Sequence, residues 1–230
     1  MENIFEREEW MLGEEAVKAL TDKQVALFGL GGVGGACFEA LVRAGIGTIV
    51  AVDGDVFSPS NLNRQILSDQ SSIGLSKAEV AAKRARSINL KINIIPINAF
   101  YKPESPCVED FSKFDYVIDC IDDVKAKLDI IAKATEAGVP IISALGCGNK
   151  IHPESLHVSD IFKTDTDPLA RVIRQKLRKM GIKKLDVMYS NEKPILNQED
   201  PTRIGSISFV PPVAGYLMAG HVIRKLLNIQ

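Results

Sequence analysis

The chain has 230 residues, 46% of them hydrophobic, with 28 Lys and Arg against 29 Asp and Glu, a formal net charge of −1. That length can bury a sizeable core, as one domain or one domain plus an elaboration. The near-cancelling charge excludes any bulk electrostatic signal for nucleic acid or membrane, so such a partner must be read from a local patch.

The segment 1–20 is acidic and amphipathic and lacks the basic-then-apolar order of a signal peptide, which predicts a cytoplasmic protein. Gln24–Phe28 reads as a strand, followed by a glycine cluster and a helix through about Ala44. Thr48–Val52 is a second strand ending at Asp53, and Lys77–Ile88 has helical spacing of apolar and small residues. Ile92–Ile97, Tyr116–Cys120 and Val139–Ser143 read as further strands, with a helix over Lys125–Ala137. This alternation predicts an α/β fold: a Rossmann-like, doubly wound, mostly parallel sheet with a C-terminal elaboration.

Beyond residue 150 the pattern changes. Leu156–Val158 is a short strand candidate, and Asp167-Pro168 looks like a helix cap followed by proline at the first helical position. Leu169, Val172, Ile173, Leu177 and Met180 then mark one apolar face, and 191–203 reads as a long polar loop. A final apolar helix runs from about Val213 to Leu227. The apolar run Ile207–Ile223 is broken by Pro211-Pro212 and carries His221, so it reads as a buried element and not an integral membrane span. No linker marks a second domain. We therefore read 1–230 as one unit, with nucleotide binding over about 20–150 and substrate binding in 151–230. Cys37, Cys107, Cys120 and Cys147 form no C-x-x-C pair and read as small buried hydrophobes in a reducing compartment. His152, His157 and His221 show no ligand spacing.

Gly29-Leu30-Gly31-Gly32-Val33-Gly34 fits G-x-G-x-x-G directly after a strand and before a helix. Glycines there allow a tight turn and let backbone N–H groups approach a phosphate at the helix N-terminus. Asp53 follows at the end of the next strand, where a carboxylate can accept ribose hydroxyls. The glycines alone do not distinguish a dinucleotide from a triphosphate. Just after Asp53 and Asp55 comes Asn61-Leu62-Asn63-Arg64-Gln65, dense in fork-shaped donors. Arg64 as a bidentate clamp and Lys77 as a point charge suit a triphosphate and the pyrophosphate that leaves it. Asp119-Cys120-Ile121-Asp122-Asp123 stands at the carboxyl end of a strand, where a carboxylate can hold Mg²⁺ against phosphates. Asp122 or Asp123 could cap the helix that follows, and both roles can coexist.

Gly29-x-Gly31-x-x-Gly34, Asp53-x-Asp55, Asn61-x-Asn63-Arg64-Gln65, Lys77 and Asp119-x-x-Asp122 together resemble the ubiquitin-activating-enzyme-like (ThiF/MoeB) adenylyltransferase superfamily. The resemblance implies that Asp53 holds the ribose, that Arg64 and Lys77 contact the phosphates, and that Asp122 supports Mg-ATP. Arg7 fits the superfamily's N-terminal arginine, which reaches into the partner subunit's site and so implies a homodimer. Within the superfamily, Phe5–Gly13, Ile118–Asp122, Asp160–Thr164 with Asp167–Ala170, and Gly205–Gly215 are similar to the tRNA threonylcarbamoyladenosine dehydratases. Many close relatives carry a cysteine-rich insertion before the Gly205-Ser206-Ile207-Ser208-Phe209 segment. The loop 191–203 here contains no cysteine.

The chemistry so implied is ATP-dependent cyclisation of threonylcarbamoyladenosine in tRNA. The threonyl carboxylate attacks the α-phosphate, and the tethered ureido group then closes the ring and expels AMP. The catalytic set would be Arg64, Lys77, Asp122 and Arg7. Adenylation of a sulfur-carrier or ubiquitin-like protein is the alternative, disfavoured by the lack of C-x-x-C pairs and of any cysteine after Cys147. An NAD-dependent oxidoreductase would leave Arg64, Lys77 and the Asn61–Gln65 cluster unexplained, and a non-catalytic nucleotide-binding scaffold is a further reading. A tRNA substrate needs a basic surface. Arg171, Arg174, Lys176, Arg178, Lys179, Lys183 and Lys184 occupy a stretch with no acidic residue. Arg171, Arg174 and Arg178 share a helix face that could line a phosphate backbone, although such a stripe could also be a plain solvated face. Docking of a sulfur-transfer partner protein stays open.

Overall fold

The computed structural model describes residues 3–200 and 202–229. Met1, Glu2, Pro201 and Gln230 lie outside the described residues, so the N-terminal segment and the 191–203 loop are described without them.

The acidic N-terminal segment forms two short helices, α1 (Glu6–Leu12) and α2 (Glu14–Thr21), divided at Gly13. Strands β1 (Gln24–Phe28), β2 (Thr48–Val52), β3 (Asn93–Ile97), β4 (Tyr116–Asp119) and β5 (Ile141–Ala144) follow the predicted positions closely. Between them run α3 (Gly32–Arg43), α4 (Lys77–Ile88) and α5 (Val124–Glu136). The C-terminal part adds β6 (Leu156–Asp160), α6 (Pro168–Lys179), β7 (Asp186–Ser190) and α7 (Val210–Leu226). The seven strands form one sheet of order β3-β2-β1-β4-β5-β7-β6. All pairings are parallel except β6 with β7. Chain order reverses between β1 and β4, which opens a crevice at the carboxyl ends of those strands. Pro96 is tolerated because β3 is an edge strand.

Period-two alternation divides the core. Val25, Leu27, Ile49 and Ala51 face the layer made by α3, α4 and α7. Ala26, Phe28, Val50 and Val52 face the opposite layer, where Phe28 stacks on Phe111 at 5.8 Å and meets the Tyr101 ring edge-on at 5.3 Å. Truncating a fully buried phenylalanine such as Phe28 to alanine costs about 3–5 kcal/mol.

Three expectations need correction. Strand β7 was not foreseen: Val187, Met188, Tyr189 and Ser190 are all buried, so the segment shows no alternation to read. Helix α7 starts at Val210, three residues earlier than expected. Pro211 and Pro212 fall in its first turn, where a missing N–H forfeits no intrahelical bond. On α6 the buried side is Ala170, Ile173 and Leu177, packed under Leu185, Val187 and Tyr189, while Val172 and Met180 are exposed. Asp167 does cap α6 as expected, with Oδ1 accepting from the N–H groups of Leu169 and Ala170 at 2.8 and 3.0 Å. Among the described residues no helix is long and apolar enough to cross a membrane.

Candidate nucleotide-binding site

Gly29, the residue after β1, has φ +88°, a left-handed conformation that residues other than glycine strain to adopt. A Cβ at Gly29 would also lie 2.8 Å from the Cys120 carbonyl carbon, and one at Gly34 would collide with the Gly29 carbonyl oxygen. The turn is therefore closed by backbone against backbone, and Gly31 stands at the N-cap of α3 with no side chain between helix end and crevice.

Around that helix end lies a cavity of about 450 Å³. Of the residues singled out from sequence, Gly29, Gly31, Gly32, Asp53, Asp55, Asn61, Arg64, Gln65, Lys77 and Asp122 line it. Gly34 and Asn63 do not line it; Gly34 packs behind the turn, and Asn63 donates to the Ser206 carbonyl at 3.0 Å. Arg7 is exposed on α1 and does not line this chain's own cavity.

The charged groups are held by short-range geometry. Asp53 Oδ2 accepts from the Leu30 N–H at 2.6 Å and Oδ1 from the Asp55 N–H at 2.8 Å, which orients the carboxylate across the mouth of the glycine turn. Lys77, the first residue of α4, is buried, and its Nζ lies 3.1 Å from Asp55 Oδ2 and 6.0 Å from the Phe57 ring centroid. Arg64 Nη1 donates to the Ser60 carbonyl at 2.8 Å and to Asn63 Oδ1 at 2.9 Å, so the guanidinium is braced by its own loop. Asn61 Oδ1 accepts from the Ser58 N–H at 3.0 Å and closes a capping box over the short 3₁₀ turn Pro59–Asn61. Gln65 is buried with its Oε1 unpartnered among the described residues.

Geometry assigns the helix cap: Asp123 is the N-cap of α5, accepting from the Ala126 N–H at 2.7 Å. Asp122 and Asp123 are both exposed and both line the cavity. Below, Lys127 donates to Asp119 Oδ2 at 2.6 Å, to Ser143 Oγ at 3.1 Å and to the Ala144 carbonyl at 3.0 Å, which ties the ends of β4 and β5 together. Among the described residues no group of three His, Cys, Asp or Glu side chains forms a metal cage. A divalent ion here would therefore need phosphate oxygens and water beside Asp122, the usual environment of Mg²⁺ and one the residues fit.

Among the wall residues, Phe100 and Tyr101, which follow β3, and Ile204 escaped the sequence reading. Ser206 and Pro211 belong to the Gly205–Gly215 segment, Pro211 in the first turn of α7. Tyr101 donates to Asp129 Oδ2 at 2.7 Å, and burial with that carboxylate raises the phenol well above its ordinary range. No motif marks Phe100, Tyr101 or Ile204. Cys120 and Cys147 also line the cavity, but burial raises both thiols, Cys147 to about 11, so neither supplies thiolate at neutral pH.

The basic stripe is partly committed. Arg174 Nη1 donates to the carbonyls of Ile161 and Thr164 and to Thr164 Oγ1, and Arg178 lies 5.7 Å over the Phe162 ring. Arg171 is exposed.

A glycine turn at a topological switch point, an anchored carboxylate and two cations in one crevice are the parts of a nucleotide site on a doubly wound α/β fold. The chain belongs to the ThiF family, whose model matches residues 6–230. It is 38% identical to a tRNA threonylcarbamoyladenosine dehydratase of Bacillus subtilis, over 97% of this chain and 94% of that protein. The Escherichia coli tRNA N6-threonylcarbamoyladenosine dehydratase, solved with AMP, superposes with TM-score 0.89 at 32% identity, covering 97% of this chain and 94% of that one. The same enzyme has been solved with ATP. The molybdopterin-synthase adenylyltransferase of Escherichia coli is 36% identical over only 57% of this chain and 51% of its own length.

Proposed function

We propose that this chain is an ATP-dependent tRNA threonylcarbamoyladenosine dehydratase working by carboxylate adenylation. The observation that carries the reading is the make-up of the cavity wall. Asp53, Arg64, Lys77 and Asp122 from the first half meet Ile204, Ser206 and Pro211 from the second, so the dehydratase-like C-terminal segment shares one cavity with the charged set. The dehydratase likeness extends through that segment, whereas the adenylyltransferase likeness spans little more than half of the chain.

In this scheme Asp53 takes the ribose hydroxyls, and the turn Gly29–Gly34 with the α3 N-terminus cradles phosphate. The threonyl carboxylate attacks the α-phosphorus, and pyrophosphate leaves with its new charge held by Arg64 and Lys77. The tethered ureido group attacks the acyl-adenylate carbonyl, closes the ring and releases AMP. The oxygen lost from the carboxylate leaves on AMP. Asp122 would hold Mg²⁺, which supplies charge neutralisation on the phosphates. No enzyme thiolate is needed, in keeping with the protonated Cys120 and Cys147.

Residues 20–150 serve as the nucleotide-binding part and 151–230 as the substrate-binding part of one unit. The exposed Arg7, together with Trp10 and Met11 exposed on the same helix, fits a homodimer in which Arg7 completes the other protomer's site. For tRNA, Arg171 is the free member of the basic stripe, joined by the exposed edge of Arg178. A sulfur-transfer protein, if it docks, would find these two thiols unreactive.

The test is incubation of pure protein with Mg-ATP and tRNA bearing threonylcarbamoyladenosine, followed by gentle digestion and mass spectrometry of the nucleosides. ATP-dependent loss of one water from that nucleoside, with AMP formed, supports the reading. Unchanged nucleoside in verified substrate overturns it and moves the substrate to a carrier-protein C-terminus.

A further inference from the structure

A second cavity, of about 510 Å³, adjoins the first. Ile204 and Ser206 line both. The partition between them is thin: Gly148 faces the nucleotide cavity, and any side chain there would collide with Ile204. The second cavity is built deliberately. Asn149 sits at φ +58°, a conformation unusual outside glycine, and is strapped on both sides. Its carbonyl accepts from the Ile195 N–H at 2.7 Å, and its Oδ1 accepts from the Gly205 N–H at 2.5 Å. These bonds hold 195–196 and 203–205 apart as two walls.

The walls carry accessible apolar side chains: Ile151, Ile195, Leu196 and Ile204 are all exposed, beside the polar Asn149, Asn197 and Ser206. Two charged groups also line it: Arg203, exposed and paired with Asp200 at 3.2 Å, and Lys150. Lys150 is only 7% exposed, its Nζ donates to the Ser190 carbonyl at 3.1 Å, and among the described residues no carboxylate lies within ion-pair distance. Cys147, three residues earlier in the chain, lines the nucleotide cavity, so Lys150 lies near the boundary between the two. A buried ammonium with one neutral acceptor and donors to spare is costly unless an anion completes it. A cavity with exposed apolar side chains on its walls and a buried cation that has no carboxylate partner suits an aromatic base carrying a short anionic substituent.

Resting on the function proposed above, we infer that this second cavity receives the modified adenosine. The base lies between Ile151 and Leu196, and Lys150 pairs with the threonyl carboxylate and presents it to the α-phosphate at the edge formed by Ile204 and Ser206, where the two cavities meet. The substrate class is an adenosine with a carboxylate-bearing N6 substituent, and Lys150 is its specificity-determining contact.

The experiment compares wild type, Lys150→Met, Lys150→Arg and Leu196→Glu. Leu196 is 59% exposed and lines only the second cavity, so its substitution leaves folding intact. Each protein is titrated with an RNA stem-loop carrying threonylcarbamoyladenosine and with the same RNA bearing the threonyl methyl ester. ATP affinity and the KM for modified tRNA are measured alongside. Wild type should bind the acid at least tenfold more tightly than the ester. Lys150→Met should erase that preference and raise KM about tenfold with ATP affinity unchanged, and Lys150→Arg should restore part of it. Leu196→Glu should weaken both RNAs. Wild-type dehydration with parental KM and acid preference in Lys150→Met and Leu196→Glu would overturn the cavity assignment alone. A wild-type protein that fails to dehydrate the tRNA would overturn the underlying function and this inference with it.

Discussion

Lys127 and Asp119 form an ion pair of 2.6 Å with neither side chain exposed to solvent. Ser143 Oγ donates to the same carboxylate oxygen at 2.5 Å, and Asp119 Oδ1 accepts from the Ile121 N–H at 3.2 Å. The pair thus braces the loop that carries Asp122 from below. Removing Lys127 alone strands a buried carboxylate, and such a break costs about 3–5 kcal/mol. Lys127→Met should lose stability on that scale in urea denaturation. Lys127→Met combined with Asp119→Leu should recover part of the loss, since an apolar replacement of both partners removes the stranded charge. A double variant no more stable than the single one would contradict this account.

Arg64→Ala and Lys77→Ala should each slow pyrophosphate release by about 10²–10³-fold, the range for removing one preorganised charge at a leaving group. Lys77→Ala also frees Asp55, its partner at 3.1 Å, which adds uncompensated negative charge near the phosphates. Wild-type release rates in both variants would remove these residues from the mechanism.

The neighbours Asp122 and Asp123 should separate by phenotype. Asp123→Ala removes the α5 cap and should cost about 1 kcal/mol of stability. Asp122→Asn should leave the melting temperature unchanged while raising the Mg²⁺ concentration needed for half-maximal rate. Calorimetry and a Mg²⁺ titration on each variant distinguish the two roles.

For the basic helix, Arg171→Glu with Arg178→Glu should weaken tRNA binding and reduce the salt dependence by about one counterion per lost phosphate contact. Arg174→Glu should behave differently. It breaks three bonds that hold the turn Ile161–Lys163 and Thr164 against α6, so the protein should lose stability. Filter binding at two salt concentrations, beside melting curves, checks both.

His221 and Asp186 make a half-buried contact of 3.0 Å between α7 and β7. The hydrogen bond from His221, with the charges of Lys184 and Lys225, holds the Asp186 carboxyl below its ordinary value. A depressed carboxylate contributes stability that is complete above the unfolded value of about 3.9 and is lost as pH falls through the folded value. Asp186→Asn should therefore melt lower than wild type near pH 6, with the gap closing below about pH 4. A gap constant across that range would exclude the linkage.

The alternating strands, the switch-point glycines and most of the charged set were legible from sequence because their signals are local. The strand period of two, the tight glycine turn and the carboxylate at a strand end all concern neighbours within a few residues. The buried β7 was not legible, because a strand covered on both faces has no alternation. That Asp123 and not Asp122 caps α5 follows only from the direction in which the chain enters that helix. Arg174 and Arg171 look alike along a helical face, and only the fold brings the Ile161 and Thr164 carbonyls to Arg174. The walls from Phe100, Ile204 and Pro211, and the lone ammonium of Lys150, are likewise products of contacts between distant segments. By itself, then, the sequence determined the fold class, the nucleotide turn and the types of charge near it, since those follow from local backbone and spacing. Tertiary packing alone decided which charges are spent on structure and which face the cavity, because burial and pairing depend on groups far apart along the chain.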